Sequence, residues 1–187
     1  MYHVSEDKRA VKSAELIWAG MEKCLQEKPL GKIRVADINE KSYVSRATFY
    51  RLFDSVQDVL VYKCDKIFGD ISAQLGKDSF STSGEFFLFF IQQWLIQKTL
   101  IKALAENNLT NILYATHMRN KDLIRTVFIR DTAISDNDAD FLISILTGII
   151  PSVIHVWYEH GQIETAEELF RAVRKSARIV DTVIEGA

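Results

Sequence analysis

The chain has 187 residues and a mass of 21.4 kDa, enough for one or two small domains and too short for a large multidomain enzyme. Hydrophobic residues make up 48% and charged residues 26%, which excludes wholesale disorder; only 8 Gly and 2 Pro argue against a turn-rich sandwich or barrel and for long helices. The net charge of −2 is uneven, with 12 Lys and Arg against 10 Asp and Glu in residues 1–68, and 11 against 15 in residues 69–187. The first third is thus mildly basic, a weak pointer to nucleic acid. Cys24 and Cys64 lie 40 residues apart, form no C-x-x-C and fall in helical patterns, so a disulfide framework or zinc site is not expected. The polar run Met1–Arg9 lacks the apolar stretch of a signal peptide, and the expected compartment is the cytoplasm.

The first helix is predicted from about Ser5 to Lys28. Val11, Ala14, Ile17, Trp18, Met21 and Leu25 form its apolar stripe, and Pro29 and Gly31 stop it. Val35–Ser42 forms two turns with Val35 and Ile38 inward. Ser45 caps a third helix, Arg46–Phe53, because its hydroxyl can accept from a free amide in the first turn. A fourth helix runs from about Asp54 to Leu75. Residues 76–84, rich in Ser, Thr and Gly, mark the expected domain boundary. Helices follow at 85–107, 109–117, 121–130, 137–160 and 166–184. No strand alternation appears, so the expected fold is all-α with about nine helices: residues 1–53 a helix-turn-helix domain, 54–75 a connecting helix, and 76–187 a helical ligand-binding and dimerisation domain.

Two short helices joined by a tight turn and braced by a longer one make a helix-turn-helix. On a helical wheel Phe49, Leu52, Phe53 and Val56 share the inward side, whereas Ala47, Tyr50 and Arg51 point outward, flanked by Arg46 and Thr48. The outward set suits DNA. Arginine can pair with guanine, Thr and Tyr hydroxyls can bond phosphate, and Ala lets the helix approach base edges. The same pattern also describes an ordinary amphipathic helix with a solvated face.

The stretch Ile33-Arg34-Val35-Ala36-Asp37-Ile38, then Val44-Ser45-Arg46-Ala47-Thr48-Phe49-Tyr50-Arg51-Leu52-Phe53, then Asp58-Val59-Leu60, resembles the N-terminal domain of the tetracycline-repressor (TetR) family. Its S-x-x-T-x-Y-x-x-F core spans Ser45 to Phe53. Trp157-Tyr158-Glu159-His160-Gly161, followed by Ala166-Glu167-Glu168-Leu169, resembles a common ending of that family's ligand domain. The resemblance implies an all-helical homodimer whose first three helices bind double-stranded operator DNA, and whose remaining helices hold a small-molecule effector and the dimer face. It implies DNA contacts from Ser45, Arg46, Ala47, Thr48, Tyr50 and Arg51, with Leu52 on a further position that commonly approaches DNA, and Arg34, although it departs from the pattern, is added to the expected contacts because its guanidinium can reach phosphate. Four positions depart from the pattern. Arg34 replaces a capping Thr, Asn39 a small apolar residue, Tyr43 the turn glycine and Val56 a backbone-contacting Lys. A positive φ at Tyr43 is costly, so a turn of different detail is expected there.

Further on, Phe86, Phe87, Phe89, Phe90 and Trp94 make 85–107 unusually aromatic. Phe90, Trp94, Tyr114, His117, Phe128 and His155 are the candidate lining of an apolar effector pocket, with a plain core as the other reading and structural roles open for both histidines. The uncharged stretch Phe141–Tyr158 is long enough to touch the lower limit for a membrane span, but it lacks basic anchors; a buried core or interface helix is expected and no membrane partner. Leu169, Phe170, Val173, Ala177 and Val180 form the stripe expected at the dimer interface. Asp136–Asp140 does not fit a calcium loop, since Phe141 and Thr147 stand where Gly and Glu are needed. No Gly-rich phosphate loop, nucleophile elbow or metal spacing is present, so no cofactor, metal or catalytic residue is expected. The resulting reading is a cytoplasmic repressor of this kind. A protein-binding co-regulator with a degenerate head, or an activator of the same fold, are the alternatives.

Overall fold

The computed structural model describes residues 1–75, 80–129 and 134–186. Among these it contains ten α-helices, one 3₁₀ turn at Leu30–Lys32 and no named strand. They group into two compact units, residues 1–68 with 99–112, and residues 69–98 with 113–187. The division falls inside the fourth helix, earlier than residues 76–84, of which 76–79 lie outside the described residues.

The first unit begins with α1 (Lys8–Glu27), capped by the Asp7 carboxylate, which accepts from the Arg9 and Ala10 amides. Its buried face is Ala14, Ile17, Trp18, Gly20, Met21 and Cys24. α2 (Val35–Ser42) lies against it, and α3 (Arg46–Leu52) packs on both. α4 (Val56–Leu75) supplies Val59, Leu60, Tyr62 and Cys64 to the core of this unit. The chain before α1 is pinned as well. Tyr2 forms an isolated antiparallel bridge with Phe53, His3 N donates to Leu52 O at 2.8 Å, and Tyr2 Oη donates to Asp65 at 2.8 Å.

Gly20 sets the spacing of α1 and α2. A Cβ there would lie 2.8 Å from Ile38 O, Ser42 N and Ser42 Cβ. Two of these are backbone atoms, so α2 cannot yield without moving. Ser42 is thereby held in place, Val44 is buried at 9% exposure, and the single residue between them must reverse the chain. Tyr43 does so in the left-handed region, at φ 57° and ψ 21°. The turn therefore keeps the geometry a glycine would give it. For a residue with a Cβ this conformation costs on the order of 1 kcal/mol.

The expected helix 85–107 is two helices, α5 (Ser83–Leu95) and α6 (Lys98–Glu106), which raises the count from nine to ten. No Gly or Pro marks the break. α5 buries Phe86, Phe87, Phe90, Ile91 and Trp94, and a continuing helix would bury positions 97 and 98 next. Those are Gln97 and Lys98. The apolar stripe resumes out of phase at Leu100, Ile101 and Leu104, so α6 buries a different face, and it belongs to the first unit.

The second unit contains α5, α7 (Asn111–Arg119), α8 (Lys121–Phe128), α9 (Asp136–Glu159) and α10 (Ala166–Glu185). α7 begins two residues earlier than the division, which falls after Ile112. α9 is long and apolar enough to cross a membrane, with a mean hydropathy of 1.8. It buries Ala139, Ile143, Thr147, Ile150, Ile154 and Trp157 at spacings of three and four, as a core helix does. α10 starts with a reciprocal box: Thr165 Oγ1 accepts from the Glu168 amide, and the Glu168 carboxylate accepts from the Thr165 amide. It packs on α5, with Phe170 against Phe87, and buries Ala166 and Leu169 in its first turns.

The close approach at Gly20 is testable. Gly20→Ala is expected to destabilise the protein by about 1–3 kcal/mol, through overpacking against α2 backbone. Gly69→Ala, also mid-helix but with open space at its Cβ, is the control and is expected to stabilise by up to about 1 kcal/mol. Urea unfolding of both variants checks this; equal behaviour of the two would overturn the packing argument.

Candidate nucleic-acid interface

The site is built on α3, whose two faces do opposite things. Phe49 and Leu52 are 0% and 2% exposed and join Phe53, also 0%, in the core. Leu52 is therefore a packing residue and not a surface contact. On the other side Arg46, Ala47, Tyr50 and Arg51 are exposed and Thr48 is half-buried. Tyr50 is 46% exposed, and the Arg46 guanidinium carbon lies 5.5 Å from its ring centroid. At an exposed site such a contact is worth about 0.5–1 kcal/mol and favours the two side chains lying together.

The start of α3 is fixed by two side chains. Ser45 Oγ accepts from the Thr48 amide at 3.2 Å and donates to Thr48 Oγ1 at 3.0 Å. Asn39, on α2, bridges the two helices when its amide is oriented to satisfy both neighbours: its nitrogen donates to Val35 O at 2.9 Å and its oxygen accepts from Arg46 N at 2.8 Å. The departure at Asn39 thus supplies a cap across the turn. Sequence reasoning missed this role, because the signal is a polar residue one helix away from the amide it satisfies.

Arg34 sits at the N-cap of α2 and is exposed. A guanidinium has no acceptor, so the usual capping hydroxyl has no substitute. Half of the box survives, since Asp37 Oδ2 accepts from the Arg34 amide at 2.7 Å. Lys28, at 2.7 Å, together with that amide, holds the Asp37 carboxyl below its ordinary range. Lys41 is paired with Glu27 at 2.6 Å. Arg34, Arg46 and Arg51 are the exposed arginines of α2 and α3 and their caps. Val56 is half-buried at the start of α4.

The chain matches no family model and no curated relative. Solved structures do match it. Lin0861 from Listeria innocua superposes with a TM-score of 0.72 at 17% identity, over 95% of this chain and 96% of that one. A TetR transcriptional regulator from Streptococcus agalactiae 2603V gives 0.58 at 21% identity, over 89% and 94%. The dihydroxyacetone kinase operon activator DhaS gives 0.61 at 15% identity, over 94% and 96%. The chain has the TetR fold. The all-α architecture expected from the sequence holds along nearly the whole described length.

The candidate effector residues divide within the second unit of this TetR fold. Phe90, Trp94 and His117 come together, with ring centroids 5.3 Å apart for Phe90–His117 and 5.7 Å for Trp94–His117. Trp94 is fully buried, and no hydrogen-bond partner for its Nε1 is found among the described residues. His117 Nδ1 lies 3.4 Å from Thr147 O. Phe128 packs instead on Phe86 and Phe87. Tyr114 is 37% exposed with its hydroxyl 3.3 Å from Ser144 Oγ, and His155 faces Glu159 at 3.5 Å from a half-exposed position.

The residues of the expected dimer stripe also divide. Leu169 is 6% exposed and packs inside its own unit; Phe170 and Val173 are half-buried; Ala177 and Val180 are exposed. The exposed large apolar residues of α10 are Ile179, Val180, Val183 and Ile184, nearer its C-terminal end. α9 exposes Phe141, Ile145 and Val156 opposite its buried stripe.

Burial lowers the His117 imidazole to about 4, against a smaller upward pull from Thr147 O. The unfolded chain then binds a proton between pH 6.5 and 4 that the folded chain does not. The contribution of this one group to stability is expected to be full above pH 6.5 and to fall as the pH drops through that window, by about 3 kcal/mol at pH 4. His117→Gln is expected to remove that part of the slope, read by urea unfolding at pH 4 and pH 7; parallel slopes would contradict it.

Proposed function

We propose that this chain is a homodimeric, one-component transcriptional regulator that binds a near-palindromic DNA operator through α2 and α3. The carrying observation is the outward face of α3. Arg46, Ala47, Tyr50 and Arg51 are exposed and Thr48 is partly so, on a helix whose opposite face is core. Arginine there can read guanine in a major groove, while Ser45, Thr48, Tyr50 and Arg34 bond phosphate and set the register. Such a protein works where the DNA is, in the cytoplasm, and carries out no catalysis.

Dimerisation follows from operator symmetry, and the exposed apolar residues of α9 and α10 support it. Phe141, Ile145, Ile179, Val180, Val183 and Ile184 stand on helices whose buried faces are already filled. The effector is a small, largely apolar molecule held near Phe90, Trp94 and His117, where a hydrogen-bond acceptor could engage the Trp94 indole. Its binding releases the operator. Repression is the sense of control proposed; DhaS, an operon activator, shares the fold, and the position of the operator relative to the promoter decides the sign.

The co-regulator reading rested on the departures in the head. Two of them leave its geometry in place, since Asn39 caps α3 and Tyr43 keeps the turn. That favours DNA.

Selection from a random duplex library by the purified protein is expected to return two related half-sites. On the winning duplex Arg46→Ala and Tyr50→Ala are expected to lose tenfold or more in affinity, about 1–3 kcal/mol per lost base or phosphate contact. Helicity and oligomeric state should stay unchanged. Parental affinity in both variants would remove this assignment. Separately, Ile179→Glu with Val183→Glu is expected to yield a monomer by sedimentation; a persisting dimer would place the interface elsewhere.

A further inference from the structure

Tyr43 is 94% exposed, in a conformation that glycine adopts at less cost. Folding accounts for the conformation and not for the side chain. Gly20 pins Ser42, Val44 is buried, and Asn39 ties α2 to the first amide of α3, so the left-handed turn is imposed from both sides. A turn fixed this firmly can hold a strained residue. The ring itself gains almost nothing, for at this exposure it buries no apolar surface. A bulky, strained, solvent-facing aromatic is the reverse of what stability favours, and strain of this sort collects at contact sites.

Its surroundings specify the partner. Tyr43 stands two residues before the Ser45 cap of α3, on the segment that also presents Arg46 and Tyr50. Between Arg34 and Arg51 the exposed charged residues are Arg34, Arg46 and Arg51 against Glu40 alone, so the segment is net cationic. Tyrosine is rigid, with two side-chain torsions and one hydroxyl, so it makes a directed hydrogen bond at low entropic cost. We infer that Tyr43 is a DNA contact absent from the seven residues named above, with its phenol hydroxyl donating to a phosphodiester oxygen beside each half-site. This rests on the regulator reading. It adds a neutral contact at the turn to the cationic contacts of α3.

The experiment compares the full-length parent with Tyr43→Phe, Tyr43→Gly and Arg46→Ala on the duplex recovered by selection. Tyr43→Phe keeps the ring and the strain and is expected to bind about tenfold more weakly, with its melting temperature unchanged. Tyr43→Gly is expected to lose at least as much affinity while melting about 2–4 °C higher, because the strain is gone. A gain in stability with a loss in binding is something a purely structural residue would not produce. Salt gives a further separation. Tyr43 is uncharged, so both Tyr43 variants should keep the parental slope of affinity against salt, whereas Arg46→Ala should flatten it. Parental affinity in Tyr43→Phe, with Arg46→Ala impaired, would overturn this inference and leave the regulator reading standing. If the parent selects no duplex and binds all DNA alike, both fall together.

Discussion

The spacing between α1 and α2 at Gly20 is the constraint on which the reading head depends. At this point the helix backbones come closer than any side chain permits, and Ser42 is held as a result. From there the chain has one residue in which to turn before Val44 enters the core. The direction of α3 is thus set by a missing methyl group two helices earlier. Asn39 and Ser45 then fasten the start of α3 by satisfying the Arg46 and Thr48 amides. A helix of seven residues is too short to be stable by itself. It holds its shape because both ends and one whole face are committed to neighbours, and its other face is left available.

Much of this was legible in the sequence. The α1 stripe, the Ser45 cap and the inward set Phe49, Leu52 and Phe53 follow from spacing alone, since burial on a helix obeys its period. The boundaries of α9 and α10 fall within a residue of expectation, because each begins with a capping Ser or Thr and acidic residues. The split of α5 from α6 was not legible, for no breaker residue marks it. Only the phase slip between Trp94 and Leu100 records it, and a slip is visible only when both stripes are known to be buried. Asn39 misled for a related reason. Its bond crosses a turn, and periodicity carries no information about partners on another helix.

The candidate effector and dimer residues were legible in type and less so in place. Six aromatic or histidine positions looked equivalent along the chain, yet Phe90 and His117 gather around Trp94 and the other three point to different surroundings. The stripe on α10 was read as continuous. In three dimensions α5 covers its first turns, and the exposed apolar residues lie further along. A helix can change what it faces along its length while its pattern stays the same.

The bridge between Tyr2 and Phe53 has a consequence for folding. It closes the chain's first fifty residues into a loop, held by His3 N on Leu52 O and by Tyr2 Oη on Asp65. Contacts among α1, α2 and α3 span far fewer residues and form at lower entropic cost, whereas closing the loop must wait until the end of α3 is in place. The segment before α1 is therefore expected to dock after α3 has formed. Once docked, it occupies Leu52 O and pairs with Phe53, and so ties the C-terminal end of α3 to the start of the chain.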